Sequence, residues 1–122
     1  MDISFKGKVV KGDGVAQRIF GAATANMEAA VMPDLEHGIY AAWVEHDGTR
    51  YGSSVCYGDE GGRKLEIHIL DFDKDIVGHE LSCEIVEKIS EYVRGYSTER
   101  LRQKIIYDIG LCRELLESKN DL

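Results

Sequence analysis

Two short oxygen-bearing side chains stand two residues apart in the segment GAATAN, which runs from Gly21 to Asn26. The hydroxyl group of Thr24 and the carboxamide group of Asn26 are hard oxygen donors of the kind that can bind a cation. Short polar residues next to glycine are equally typical of a plain loop. The segment alone leaves both alternatives open.

Acidic residues and histidines offer other metal ligands, in weaker patterns. Asp71, Asp73 and Asp75 alternate as in a calcium-binding EF-hand loop, but Ile76 and Ser82 occupy the positions that require glycine and glutamate. We therefore interpret this stretch as an acidic turn. The histidines form no His-x-x-x-His pair, so a zinc site would need ligands from distant parts of the chain; they are His37, His46, His68 and His79.

Nucleotide-binding loops of the two commonest kinds do not occur in the sequence. There is no Gly-x-x-x-x-Gly-Lys-Ser/Thr loop. The stretch GDGVAQ, residues 12–17, has two glycines of a dinucleotide fingerprint but lacks the third, and no strand–helix–strand pattern surrounds it. Any nucleotide bound here is therefore held neither by a Walker loop nor by a Rossmann fold.

The charge balance and the cysteine pattern limit the class of protein. The 122 residues carry 15 basic and 22 acidic side chains, a net charge of −7 that argues against binding to nucleic acid or to an anionic membrane surface. The three cysteines include no Cys-x-x-Cys pair, so neither a zinc ribbon nor a disulfide framework is expected. No apolar run approaches the ~20 residues of a membrane span, and we expect a cytoplasmic protein.

The hydrophobic pattern predicts several strands followed by one helix. Residues 63–72 alternate between aliphatic and polar side chains, and the Asp-Gly pair after residue 46 predicts a tight hairpin. From Ser97 onward, apolar residues recur every three or four positions, which is the spacing of one helix face. These elements indicate a small antiparallel barrel closed by a helix. The predicted strands are 5–12, 38–46, 50–58, 63–72 and 80–89, and the predicted packing residues of the helix are Leu101, Ile105, Ile109, Cys112 and Leu116.

Glu66 stands in the middle of the alternating strand. Alternation places Glu66 and His68 on one face of that strand and the aliphatic residues Leu65, Ile67 and Ile69 on the other. In one interpretation the polar face is simply solvated. In the other, the aliphatic residues pack beneath the helix and leave Glu66 beside a cavity or at the mouth of the barrel. The period of the sequence does not choose between the two.

Several segments, taken in order, resemble the riboflavin kinase family. They are GKVVKGDG with RIFGAATAN, GIYAAWV, LEIHILDFDKDIVG and YSTERLRQKIIYDI, and the resemblance covers about Gly7 to Leu116. The Thr-Ala-Asn segment and the Glu-x-His strand in this order are its most specific parts. The resemblance implies a six-stranded antiparallel closed barrel of Greek-key type with a C-terminal α-helix. It also implies one domain over residues 1–122, with the barrel at about 5–92 and the helix at about 97–118.

The resemblance further implies an enzyme that transfers the γ-phosphate of ATP to the 5′-hydroxyl group of riboflavin, giving FMN, with Mg²⁺ as cofactor. Thr24 and Asn26 match the residues that bind Mg²⁺ and meet the phosphates. Glu66 matches the base that takes the proton of the hydroxyl group. The residues assigned to the nucleotide are Gly12, Gly14, Arg18, Gly21 and Ala23, and those assigned to the flavin are Glu91, Arg94 and Tyr96.

The chain departs from the family pattern at some of these positions. Ala23 replaces a proline, and Ile89 and Ser90 stand where the family has leucine and arginine. The segment 55–65 is shorter than in the family. Arg94 is a candidate to supply the guanidinium group displaced from position 90. These departures affect the ATP and flavin sites more than the metal ligands and the base.

Two hypotheses of different classes follow. The first is a free-standing riboflavin kinase that acts on small molecules as a monomer and binds neither nucleic acid nor membranes. The second is a non-catalytic relative that binds flavin or a nucleotide as a carrier or regulator. The joint presence of Thr24, Asn26 and Glu66 favours the kinase, because a protein that only binds its ligand has no need of a base.

Overall fold

The computed structural model describes residues 3–11, 24–29, 33–58, 64–72 and 74–120. Strands and one long helix make up most of this part of the chain. In chain order the elements are β1 (Ile3–Val10), β2 (Thr24–Ala29), β3 (Gly38–His46), β4 (Thr49–Gly58), β5 (Lys64–Ile69), β6 (Glu80–Ser90) and α1 (Thr98–Asn120).

The strands close into a barrel in which all neighbouring strands are antiparallel. Their order around the barrel is β1-β2-β5-β4-β3-β6, and β6 pairs with β1 to complete the circle. β3 and β4 form a hairpin whose turn residues, Asp47 and Gly48, have positive φ values of 51° and 81°. Positive φ at both turn residues is the type I′ conformation that suits a two-residue hairpin, as the Asp-Gly pair predicted.

Alternate residues of the strands fill the inside of the barrel with a continuous apolar core. On β5 the inward residues are Leu65, Ile67 and Ile69, none of which is more than 2% exposed. Tyr40 of β3 and Tyr57 of β4 lie in the same core. The residues between these positions form the outer wall of the barrel, because successive side chains of a strand point to opposite faces.

The C-terminal half of α1 packs on this outer wall. Cys112 and Leu116 are buried in one cluster with Ala41 of β3, and Ile109 packs against the same cluster. The predicted packing face is therefore confirmed for these three helix residues. Leu101 and Ile105 lie outside the cluster and are only half-buried.

The N-terminal half of α1 turns a polar residue toward the barrel. Asp108 is 3% exposed, whereas Leu101 and Ile105 are half-buried. The apolar spacing of the helix did not reveal this, because the period identifies a stripe of the helix but not the depth at which each residue of that stripe is covered.

The predicted fold class, a closed six-stranded antiparallel barrel with a C-terminal helix, is confirmed. The element missing from the pattern analysis is β2, which contains the second half of GAATAN. Its residues are small or polar and show little of the β-branched and aromatic character of a typical strand. The segment is therefore a strand from Thr24 onward rather than a plain loop.

Leu116→Ala is expected to lower the free energy of unfolding by about 2–5 kcal/mol, the usual cost of removing a buried leucine. Leu116 is 2% exposed, and one of its methyl groups occupies the space beside Gly52 that a Cβ atom there would need. Chemical denaturation measures the change. The matched control is Ile106→Ala in the same helix, whose side chain is 59% exposed and whose removal should cost less than about 0.5 kcal/mol. Equal stability of the two variants would contradict this packing.

Candidate active site

One row of paired residues crosses the outer wall and carries most of the candidate groups. Asn26 on β2 pairs with Glu66 on β5, and Glu66 pairs with Cys56 on β4. Cys56 pairs with Ile39 on β3, which pairs with Ser90 on β6. Directly opposite residues of antiparallel strands have neighbouring side chains on the same face. Asn26, Glu66 and Cys56 therefore lie side by side. We call the whole series of paired residues the wall row: Asn26, Glu66, Cys56, Ile39 and Ser90.

The structure resolves the orientation of Glu66, which alternation had left open. Leu65 and Ile67 lie in the barrel core rather than beneath α1, so Glu66 lies on the outer wall. It is half-buried there, as are Asn26 and Cys56 on either side. Glu66 is thus neither inside the barrel nor on a fully solvated face.

Thr24 is placed through its backbone, which pairs with His68 of β5. Its side chain lies outside the described residues. β1 ends at Val10 and β2 begins at Thr24, and Val10 pairs with Asn26, so these two strand ends lie beside the wall row. The assignment of the stretch between these strands to the nucleotide stays a prediction, because its candidates lie outside the described residues: Gly12, Gly14, Arg18, Gly21 and Ala23.

Two groups next to Glu66 are held in their neutral forms. Burial raises the pKa of the Cys56 thiol to about 12, and the carboxylate of Glu66 adds to that shift. Burial also lowers the pKa of His68, two residues from Glu66 on β5, and the positive charge of Arg113 lowers it further. At neutral pH neither group brings a charge to this part of the wall.

A buried polar network joins α1 to the end of β6. The ammonium group of Lys104 donates hydrogen bonds to Asp108 Oδ2 at 2.7 Å and to Ser90 Oγ at 3.0 Å. Ser90 Oγ donates to Asp108 Oδ1 at 2.9 Å. The side chain of Asp108 is 4% exposed and that of Lys104 is 15% exposed. These three residues, the Lys104 network, hold the end of the wall row against the helix.

Glu91, assigned to the flavin from the sequence, lies just after β6 on the surface. Its carboxylate forms an ion pair with Lys88 at 3.0 Å, and Lys88 also binds Glu36 at 2.9 Å. The Glu91 side chain is 79% exposed. An ion pair this exposed contributes little to stability.

The other two residues assigned to the flavin lie on the segment between β6 and α1. Arg94 has its guanidinium group 5.8 Å from the ring centroid of Tyr92. Tyr96 lies under Arg100, whose guanidinium group is 4.0 Å from the ring centroid. Among the described residues, the cation that hydrogen-bonds to Ser90 is the ammonium group of Lys104 on α1.

The acidic turn and the histidines are used in other ways. Asp71 forms an ion pair with Arg113 at 2.8 Å, and this hydrogen bond and charge lower the pKa of Asp71. His46 Nε2 and His79 Nδ1 are 2.8 Å apart and share a hydrogen bond. No group of three or more His, Cys, Asp or Glu residues that could hold a metal ion occurs among the described residues.

The donor types on the wall row fit a magnesium ion. Asn26 of β2, one of the two residues matched to the metal, offers a carboxamide oxygen, and Glu66, matched to the base, is its direct neighbour on β5. Mg²⁺ prefers oxygen ligands and needs only one or two from the protein when phosphate oxygens and water supply the rest.

Sequence reasoning missed the Lys104 network. Lys104 and Asp108 are four residues apart, which is the usual spacing of an ion pair within a helix. Such pairs are mostly exposed, and nothing in the spacing indicates that this one faces the barrel. The signal that could have found it is the loss of a charged residue at Ser90 together with a lysine on the predicted helix.

Comparison with known proteins shows which family the chain belongs to. The family model described as Flavokinase, riboflavin kinase, matches residues 1–116. The chain belongs to the riboflavin kinase family. The RNA-binding riboflavin kinase RibR of Bacillus subtilis is 33% identical over 117 residues, which cover 91% of this chain and 50% of that protein. The bifunctional riboflavin kinase/FMN adenylyltransferase of Pseudomonas fluorescens is 29% identical over 115 residues, which cover 89% of this chain and 37% of that protein.

A solved riboflavin kinase has the same fold. The crystal structure of riboflavin kinase from Trypanosoma brucei matches with a TM-score of 0.63 and 20% identity, over 94% of this chain and 80% of that one. The chain spans half or less of the length of the two curated relatives described above. Within the described residues, no helix combines the length and the apolar character needed to cross a membrane.

The structure locates one departure from the riboflavin kinase pattern. Ser90 stands where that pattern has arginine, and its hydroxyl group binds both Lys104 and Asp108. The positive charge that contacts Ser90 in this structure is that of Lys104, from α1.

Proposed function

We propose that this protein is a riboflavin kinase, which transfers the γ-phosphoryl group of ATP to the 5′-hydroxyl group of riboflavin and releases FMN and ADP. The observation that carries the proposal is the pairing of Asn26 with Glu66 on the outer wall. In the family pattern these two positions supply a metal ligand and the base. Asn26 and Glu66 are neighbours here, so ATP and riboflavin bound together can contact both residues.

Glu66 is the proposed general base. As the hydroxyl oxygen of riboflavin forms a bond to the γ-phosphorus, the bond from that phosphorus to the bridging oxygen breaks, and ADP takes the bonding electrons. The hydroxyl proton passes to the carboxylate of Glu66. The half-buried position of Glu66 supports this role, because partial exclusion of water strengthens hydrogen bonds to a carboxylate.

Asn26 and Thr24 are the proposed magnesium ligands. Bound Mg²⁺ would neutralise charge on the phosphate oxygens, which is the main requirement of phosphoryl transfer together with correct positioning. The glycine-rich stretch between β1 and β2 is the proposed nucleotide cover, because glycine lets backbone N–H groups approach phosphates closely. Its residues are Gly12, Gly14, Arg18, Gly21 and Ala23.

The acceptor substrate is proposed to lie between the outer wall and the start of α1. Leu101 and Ile105 are only half-buried on that part of the helix. Ser90, the last residue of the wall row, is bound there by Lys104. Half-exposed aliphatic side chains suit the flat ring system of a flavin. We propose that Glu91, Arg94 and Tyr96, on the adjoining segment, contribute to the same site.

The test is incubation of the protein with riboflavin, Mg²⁺ and, in separate reactions, ATP, CTP or GTP. We expect FMN, resolved by chromatography, in at least the ATP reaction, and no FMN when EDTA removes the metal. Riboflavin binding without FMN in any reaction would favour the non-catalytic carrier or regulator instead. The observation on the side of the kinase is the presence of a carboxylate next to the metal-ligand position, which a carrier does not need.

The proposed partners are small molecules, and the proposed location is the cytoplasm. One relative is named as an RNA-binding riboflavin kinase, and this chain covers 50% of it. The net charge of −7 gives this chain no basic footprint for RNA. The absence of nucleic-acid binding, the lack of membrane association and the monomeric state therefore stay predictions.

A further inference from the structure

Two histidines from distant parts of the chain meet at the surface of the barrel. His46 is the last residue of β3, and His79 lies immediately before β6. Nε2 of His46 and Nδ1 of His79 are 2.8 Å apart, and the two rings are inclined by 15°. We call these two residues the histidine pair. It brings two nitrogen donors to one point.

Both members of the histidine pair are fixed by their backbones. His46 pairs with Thr49 across the hairpin of β3 and β4. The backbone N–H group of His79 donates to the carbonyl oxygen of Ile76 at 2.9 Å, and the carbonyl oxygen of His79 accepts from the N–H group of Val9 at 2.9 Å. Donors held in place before a ligand arrives lose little conformational entropy when they bind it.

The histidine pair is covered on one side and open to solvent on the other. The ring of Phe72 meets the ring of His46 edge-on at a centroid distance of 5.7 Å, and Tyr51 packs against Phe72 at 5.1 Å. Apolar neighbours of this kind limit the access of water to a metal site. His46 is half-buried and His79 is exposed. A small ion from solvent can therefore reach both nitrogen atoms.

The hydrogen bond between the rings already provides one lone pair of the kind that binds a metal ion. A neutral imidazole has one N–H group and one bare nitrogen, so one ring presents its lone pair to the other. In the donating ring the proton can pass through water to the second nitrogen, which frees another lone pair and leaves the charge unchanged. Zn–N bonds of about 2.0–2.1 Å at a tetrahedral angle hold two nitrogens about 3.3 Å apart. The observed 2.8 Å is close to that separation.

We propose that the histidine pair binds a divalent transition-metal ion that prefers imidazole nitrogen, of the chemical class of Zn²⁺. The ligands are Nε2 of His46 and Nδ1 of His79. Among the described residues no third His, Cys, Asp or Glu completes the group, so water or a donor of another molecule takes the other positions of the ion. This site is separate from the proposed magnesium site, because Mg²⁺ prefers oxygen ligands.

An ion bound to the histidine pair ties three parts of the barrel together. His46 belongs to the hairpin of β3 and β4, and His79 belongs to the turn before β6. That turn is joined to the end of β1 by the bond from Val9 to His79 and by a second one, from the N–H group of Gly78 to the carbonyl oxygen of Val9 at 2.8 Å. An ion that binds only the folded chain raises Tm. We therefore expect Zn²⁺ to raise the Tm of the wild type.

The test is a calorimetric titration of the untagged, metal-free protein with Zn²⁺, together with thermal melts. We expect saturable binding by the wild type. His46→Gln and His79→Gln should each raise the Kd for Zn²⁺ about tenfold or more, because loss of an outer partner of a ligand already costs about 10–100-fold. Without metal, both variants should melt close to the wild type, since the backbone contacts remain. Their Tm should no longer rise with Zn²⁺.

His37→Gln is the matched control. His37 precedes β3 at the end opposite His46, so the substitution removes a histidine without touching the pair. We expect its Kd for Zn²⁺ to equal that of the wild type. An excess of Mg²⁺ should leave the Zn²⁺ titration of the wild type unchanged, because Mg²⁺ does not compete well for nitrogen ligands.

Three results would overturn the inference. The first is a wild type that does not bind Zn²⁺. The second is a wild-type Kd in either His46→Gln or His79→Gln, which would place the ion elsewhere. The third is displacement of Zn²⁺ by Mg²⁺, which would indicate an oxygen site. None of these measurements uses FMN formation, so the outcome does not depend on the proposed function.

Discussion

Glu66→Gln is expected to lower kcat for FMN formation by about 10²–10⁴-fold, the usual contribution of a general base. Glutamine keeps the size of the side chain and its ability to hydrogen-bond, but its amide group cannot accept the proton of the attacking hydroxyl group. The KM for riboflavin and the Tm should change little, because the substitution leaves the shape of the wall row intact. Loss in kcat without loss in binding is the mark of an interaction made in the transition state.

The measurement is a steady-state assay of FMN together with a thermal melt of each variant. Glu84→Gln is the matched control, since Glu84 also lies on the outer wall but on β6, and it is exposed. We expect wild-type kcat for the control. Wild-type kcat in Glu66→Gln would remove the assignment of Glu66 as the base, even if the protein forms FMN.

The architecture could be predicted from the sequence where one period is strong. Residues 38–46 were predicted as a strand and form β3 with the same bounds. The switch of the apolar period near residue 97 predicted α1, which begins at Thr98. In β3 and in the C-terminal half of α1 the local preference of the sequence agrees with the burial imposed by the fold, which is why a single sequence is enough to predict these elements.

The arrangement of the wall row could not be read from a periodic pattern. Alternation placed Glu66 opposite the aliphatic residues of its strand, but whether that face looks into or out of the barrel depends on which strands are neighbours. β2 and β5 are neighbours although two strands lie between them in the chain. Only this long-range pairing brings Asn26 beside Glu66. The family resemblance identified Asn26 and Glu66 as candidate site residues. The strand order in the structure explains why the two residues are neighbours.

The Lys104 network shows a second limit of sequence reasoning. From the sequence, Arg94 was a candidate to supply the guanidinium group displaced from position 90. In the structure the ammonium group of Lys104 binds Ser90 from α1. A charge can be replaced from any element that packs against the same place, and distance along the chain does not measure that packing.

Asn26→Ala and Thr24→Ala are expected to abolish FMN formation or to raise the Mg²⁺ concentration that it requires, while riboflavin binding survives. Loss of an outer partner of a metal ligand already costs about 10–100-fold in metal affinity or activity, and loss of a direct ligand should cost at least as much. Riboflavin binding should persist because Asn26 lies at one end of the wall row, away from the start of α1.

Glu28→Ala is the control that separates the loss of a metal ligand from a general disturbance of β2. Glu28 is the next outward residue after Asn26 on the same strand, it is exposed, and it pairs with Lys8 of β1 rather than with β5. A titration of Mg²⁺ at fixed ATP and riboflavin should give wild-type behaviour for this control and a shifted or absent response for Asn26→Ala. Full activity of Asn26→Ala at limiting Mg²⁺ would mean that Asn26 does not bind the metal. The pairing of Asn26 with Glu66 would then no longer support the proposed function.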